Sequence, residues 1–130
     1  MIFVDTNYFI RFLINDIPLQ FKKARELFEL GAKDKIQLFT STIVIFEIYW
    51  LMFKFYEKSR SESILILKNI LSMNFVYLEE RDILFEALKI YEDGSLELED
   101  CYNIAFAKAN KMLDFKTFDK KLLNYLKRIG

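Results

Sequence analysis

Four short apolar runs, "MIFV" (1–4), "IQLFTS" (36–41), "FVYL" (75–78) and "MLDFKT" (112–117), are spread along 130 residues with long helical patterns between them. That spacing constrains the fold more than any other feature. Antiparallel neighbours can be joined by a tight turn, whereas parallel strands need a crossover of a dozen residues or more, usually helical. The first run is apolar on both faces, as a buried strand of a helix-covered sheet would be. Helical patterns fall at roughly 7–15, 19–33, 42–57, 60–72, 80–92 and 96–111, and a last helix starts near Asp119. The second ends near Gly31, and Ser41 or Thr42 is placed to cap the third. The expected architecture is α/β: a doubly wound, mostly parallel sheet of four to five short strands flanked by helices. At this length a single domain over 1–130 is expected. The fourth run alternates weakly, and no clear fifth follows residue 117.

Composition narrows the chemistry. Hydrophobic residues make up 53% of the chain and only three Gly and one Pro occur, so it reads as globular with short loops. Nineteen basic residues balance nineteen acidic ones, and net charge argues for no particular partner. With no histidine, the Ser-His-Asp triad, imidazole acid–base chemistry and the usual zinc sites are excluded. Gly31, Gly94 and Gly130 lie too far apart to form a phosphate loop. What remains is carboxylates, hydroxyls, lysines and metals. The lone Cys101 reads as a small core residue, and one cysteine without a basic leader before Asp5 leads us to expect a cytoplasmic protein. Residues 43–56, "IVIFEIYWLMFKFY", carry only Glu47 and Lys54 as charges. Fourteen helical residues span about 21 Å, short of the ~30 Å hydrocarbon layer, so a helix buried in the protein or in a protein interface is expected.

In parallel α/β sheets ligands bind beyond the carboxyl ends of the strands. Asp5 follows the first run, and Glu47 lies one to two turns into the helix after the second. Glu97 and Asp100 sit three apart on the helix before the fourth run, and Asp119 comes two residues after it. Each has an ordinary alternative. Asp5 and Asp119 suit helix caps, and Glu97, Glu99 and Asp100 suit a helix N-terminus. Glu47 is the hardest to explain so, because "IVIF" precedes it and "IYWLMF" follows, and a glutamate is seldom buried unpaired. Two carboxylates ~4 Å apart repel by about 4 kcal/mol at an effective dielectric near 20, so a cluster would protonate, separate or hold a cation. All-oxygen donors favour Mg²⁺ or Mn²⁺, which can promote attack of water on a phosphodiester without histidine.

Charge is unevenly distributed. Residues 79–100 hold nine acids against Arg81 and Lys89, and residues 108–128 hold seven basic residues against Asp114 and Asp119. A basic segment beside an acidic centre suits a polyanionic substrate, with Lys116, Lys120 and Lys121 as backbone contacts, although a solvated helix face accounts for them equally well. In "YWLMFKFY" (49–56) most rings are expected to fill a core. Seven apolar residues in eight cover more than one face, however, so Trp50, Phe53 or Tyr56 is expected at a dimer or partner interface.

Four pieces, "MIFVDTN", "TSTIVIFEI", "LELEDCYNIAFAKA" and "TFDKKL", together with the element order, resemble PIN-domain ribonucleases over essentially the whole chain. Among these, the sequence is most similar to VapC-like toxins of type II toxin–antitoxin pairs. The resemblance implies an endoribonuclease dependent on Mg²⁺ or Mn²⁺, frequent homodimers and inhibition by a cognate antitoxin protein. It implies that Asp5, Glu47 and Asp100 bind metal and that Asp119 completes the cluster. Thr6 or Asn7 would orient the first acid or touch phosphate, and Thr117 would support Asp119. Glu97 stands where the family often has aspartate. The competing readings are a PIN nuclease that is not a toxin, a catalytically silent RNA- or protein-binding module, and a carboxylate-plus-Mg²⁺ phosphatase. Phosphatases of the haloacid-dehalogenase kind want a second Asp two residues after the nucleophile, where this chain has Asn7.

Overall fold

Helix boundaries follow the capping residues. Asp5 starts α1 (Thr6–Ile14) by accepting the Thr6 amide at 2.8 Å, and Asn15 ends it in the left-handed region at φ 55°. Pro18 opens α2 (Pro18–Ala32), where its missing N–H costs nothing. Between these helices and α3 (Thr42–Lys54) runs the second of three strands, β1 (Ile2–Phe3), β2 (Leu38–Phe39) and β3 (Val76–Tyr77). A reciprocal box between Ser59 and Glu62 starts α4 (Arg60–Leu71). Then follow α5 (Arg81–Asp93), α6 (Leu98–Ala109) and α7 (Lys120–Ile129), the last capped by Asp119 through the Leu122 amide at 3.0 Å.

This computed structural model describes residues 1–130, which divide into two compact units, Met1–Arg81 and Asp82–Gly130. In the first, the three strands are parallel in the order β1-β2-β3, with Ile2 opposite Leu38 and Leu38 opposite Val76. The crossovers are the helical hairpins α1–α2 and α3–α4. Rings join α1 to α2: Phe9 meets Phe28 at 5.3 Å between centroids, Phe12 meets Phe28 edge-on at 5.1 Å and Phe12 stacks on Phe21 at 6.0 Å. Helix α3 packs against α1 and α4 and buries Val44, Ile45, Phe46, Ile48, Tyr49 and Met52. The apolar stretch around Glu47 is thus a protein-buried helix, and no helix in the chain is long and apolar enough to cross a membrane. In the second unit α5, α6 and α7 bury Leu84, Leu88, Tyr91, Leu98, Cys101, Ile104 and Leu122.

The sheet differs from the expected one in three ways. It has three strands of two residues each, not four to five longer ones, and its sequential order contains no reversal of the doubly wound kind. "MLDFKT" (112–117) forms no strand. Its polar groups are satisfied locally instead: Asp114 Oδ1 accepts the Phe115 amide at 2.8 Å and Asp114 Oδ2 pairs with Lys116 at 2.7 Å. Such local bonds compete with a ladder. Ile2 and Phe3 are 44% and 47% exposed, not buried on both faces, because β1 lies at the edge of the sheet.

Helix α2 ends one residue past Gly31, near where the sequence placed its end, and the glycine has a packing role as well. It lies inside α2, and a Cβ there would meet Leu38 Cδ1 at 2.6 Å and Phe75 Cδ2 at 3.2 Å. The glycine lets α2 approach β2 closely. Alanine gains about 1 kcal/mol of helix propensity and loses a similar amount to crowding, so Gly31→Ala should be near neutral. Gly31→Val adds a branched side chain at the same spot and should cost about 2 kcal/mol in urea unfolding.

Candidate active site

Parallel strands all end at the same edge, and polar groups collect there in the first unit. β1 is followed by Val4, whose N–H donates to Phe39 O at 2.9 Å and whose carbonyl accepts from the buried Thr40 hydroxyl at 2.8 Å. Thr40 N–H in turn donates to Tyr77 O at 3.0 Å. The backbone that delivers Asp5 is therefore held on both sides of Val4.

Asp5 and Glu47 come together around Thr6. The Thr6 side chain is buried, and its Oγ1 lies 3.2 Å from Glu47 Oε2 and 3.4 Å from Asp5 Oδ1. A hydroxyl has one proton, so it donates to one carboxylate at a time, and the shorter distance favours Glu47. Glu47 is half-buried on α3 between buried Phe46 and Ile48, which limits its rotamers. Asp5 is exposed, and capping α1 occupies Oδ1 alone, leaving Oδ2 without a donor from the chain. Cap and ligand are therefore compatible roles for one aspartate. Two further residues at this edge were read from the sequence only as helix caps: Thr42 Oγ1 donates to Glu80 Oε1 at 2.6 Å, and Ser41 Oγ is buried with no hydrogen-bond partner. Ser41 holds the N-cap position of α3 but makes no side-chain capping bond. The polar run Thr40-Ser41-Thr42 was the available signal, and it reads equally well as a helix cap.

In the second unit, Glu97 is the N-cap of α6, with Glu99 and Asp100 in its first turn. Burial pushes the half-buried Asp100 carboxyl above its usual range, and repulsion from Asp119, Glu99 and Glu97 adds to the shift. A hydrogen bond from the Glu97 backbone opposes it. Asp119 is exposed and caps α7 through Oδ1, while its own N–H donates to Thr117 Oγ1 at 3.1 Å. Of the three lysines, Lys116 pairs with Asp114, and Lys120 and Lys121 are exposed on the first turn of α7.

The aromatic run of α3 is largely engaged. Trp50, Phe53 and Tyr56 are half-buried, with Trp50 against Phe46, Phe53 against Tyr49 and Tyr56 against Phe55. The Tyr56 hydroxyl accepts from Arg11 Nη1 at 3.0 Å. The ring left open to solvent is Phe55, 73% exposed.

Within neither unit do three or more His, Cys, Asp or Glu side chains form a group able to hold a metal ion. The donor chemistry is nonetheless that of a hard divalent cation, with carboxylate and hydroxyl oxygens and a single buried cysteine. Asp100, raised first by burial and then by neighbouring negative charge, is a carboxylate whose environment favours a cation.

The PIN domain family profile matches residues 2–127, a span that includes residues of both units. No curated protein and no solved structure matches the chain.

The charge on Asp100 has a measurable cost. Its native pKa lies above the ordinary 3.8, so the ionised form destabilises the fold at neutral pH and the cost falls as pH drops through the raised value. Asp100→Asn removes that charge and keeps the shape. In EDTA at pH 7 it should raise Tm, and the gain over wild type should shrink towards pH 4, as followed by circular dichroism melts.

Proposed function

The chain belongs to the PIN domain family, and from that premise we propose that it is an endoribonuclease dependent on Mg²⁺ or Mn²⁺, the VapC-like toxin of a toxin–antitoxin pair. PIN domains are generally metal-dependent nucleases. The observation that carries the proposal furthest is Thr6 between Asp5 and Glu47: its amide holds the first and its hydroxyl the second, so two acids from distant parts of the sequence meet at one end of a parallel sheet.

In this reading residues 1–130 act as one PIN domain, and Asp5, Glu47, Asp100 and Asp119 are the acids that hold the cation. When bound, the ion would supply Lewis-acid polarisation of the phosphate and ease deprotonation of water, chemistry that needs no histidine. Thr6 fixes the two acids of the first unit, and Asn7, on the first turn of α1, is placed to donate to a phosphate oxygen. Thr117 holds the Asp119 backbone, and Glu97 donates its backbone N–H to Asp100. Lys120 and Lys121, and Lys116 once released from Asp114, contact the RNA backbone. Half-buried Trp50, Phe53 and Tyr56 contribute to a homodimer or antitoxin interface. The setting is the cytoplasm, where RNA is available.

Purified protein should cleave structured RNA with Mg²⁺ or Mn²⁺ and stop on addition of EDTA. Asp5→Asn and Asp100→Asn should each lower kcat/KM at least about 100-fold while far-ultraviolet circular dichroism stays unchanged. Thr6→Val, which keeps volume and removes the hydroxyl, should lower it about 10-fold. Expression should arrest growth until a neighbouring gene's product is co-expressed. Cleavage that persists in EDTA or in both Asn variants overturns the metal assignment. RNA binding without cleavage would make the chain a binding module.

A further inference from the structure

Helices α1 and α2 enclose a polar cavity of about 300 Å³, lined by Asn7, Tyr8 and Arg11 on the first helix and Gln20 and Lys23 on the second. Its lining contains two cations and no acid, in a chain with equal numbers of each. The spacing follows from helix geometry: residues 7, 8 and 11 share one face of α1, and 20 and 23 share one face of α2.

Arg11 is built into place. Its Nε donates to Gln20 Oε1 at 2.8 Å, and Nη1 donates to Asp16 Oδ1 at 3.1 Å and to the Tyr56 hydroxyl at 3.0 Å. Three anchors from three segments fix the plane of the guanidinium, and its Nη2 donates to no group of the chain. With Nε and Nη1 both engaged, Nη2 is left as an oriented, charge-assisted donor to a single oxygen of a tetrahedral oxyanion. Asp16 offsets part of the guanidinium charge. Lys23 is exposed and paired with no acid, so it supplies the uncompensated positive charge. Tyr8, 40% exposed, offers a ring beside these cations. Cations next to an accessible aromatic face are the combination that holds single-stranded nucleic acid, with phosphate on the charges and a base on the ring.

We propose that this cavity binds a backbone phosphate of the RNA next to the one being cleaved, held by Arg11 Nη2, Lys23 and Asn7, with the adjoining base stacked on Tyr8. The proposal rests on the ribonuclease reading and extends it to substrate positioning. Asn7 connects the cavity to the acids, being two residues past Asp5 on the same helix. Arg11 is six residues from Asp5, about 9 Å along the helix, too far to share the scissile phosphate and near enough for a neighbouring one.

The test compares two substitutions that change net charge equally. Lys23 lines the cavity, whereas the adjacent Lys22 does not. Binding of a fluorescein-labelled single-stranded oligoribonucleotide is measured by anisotropy in EDTA, so that cleavage does not enter, and cleavage kinetics are measured separately with Mn²⁺. Lys23→Glu should weaken binding at least fivefold and raise KM by a similar factor with kcat within twofold, and Lys23→Arg should restore both. The slope of log K against log salt should fall by about 0.7, the value for one lost phosphate contact on a single strand. Lys22→Glu should change binding less than twofold. Equal losses for Lys22→Glu and Lys23→Glu would show a net-charge effect and overturn the proposal, as would wild-type protein that binds no RNA. Oligoglutamate binding that Lys23→Glu abolishes while RNA binding is unaffected would also overturn it, assigning the cavity to a protein carboxylate. Position-dependent binding without cleavage under any metal would leave the phosphate site standing and remove the nuclease assignment.

Discussion

Val4 is the residue on which the site of the first unit depends. Its amide is tied to Phe39 and its carbonyl to the Thr40 hydroxyl, so the backbone unit that follows β1 is held by the neighbouring segment from both directions. With strands only two residues long, few other ladder bonds fix the register. A slip of one residue would send Val4 outward and turn Asp5 into the interior. Burial of Val4 and the bond from Thr40 oppose that slip together, and the position of the first acid is a by-product of strand register.

The acids are held in position by two different devices. In the first unit hydroxyls serve as donors, Thr6 to Glu47 and Thr42 to Glu80. In the second, helix N-termini do so, with Asp119 capping α7 and Asp100 in the first turn of α6. A hydroxyl or an amide satisfies one lone pair of a carboxylate and leaves the charge in place. Structural and chemical roles therefore coexist at Asp5 and Asp119, where a choice between cap and ligand looked necessary from sequence.

Helices were readable in the chain because their signals are local. Asp5, Pro18, the Ser59–Glu62 pair and Asp119 each lie within a few residues of the amides they serve or the turns they start. Strands were less so. Apolar runs located β1, β2 and β3 and overstated their length, and "MLDFKT" was misread because Asp114 satisfies the Phe115 amide and pairs with Lys116, a competition invisible to hydropathy. Glu47 stood out because its neighbours are apolar, and the bond to Thr6 accounts for it. The bonds Thr40–Val4, 36 residues apart, and Arg11–Tyr56, 45 apart, left no mark in any local pattern. The Tyr56 hydroxyl is tied to α1, while its half-buried ring keeps a face open to solvent.

Helix α3 is apolar on nearly every side and is buried accordingly. A helix without a polar stripe gains little from laying one face on a partially formed neighbour, since its other faces stay in water. It becomes stable only when several surrounding elements are in place at once. Glu47 rides on that helix, so the Thr6-linked pair exists only where α3 is packed against α1, and the acid's position is set by tertiary packing and not by local sequence.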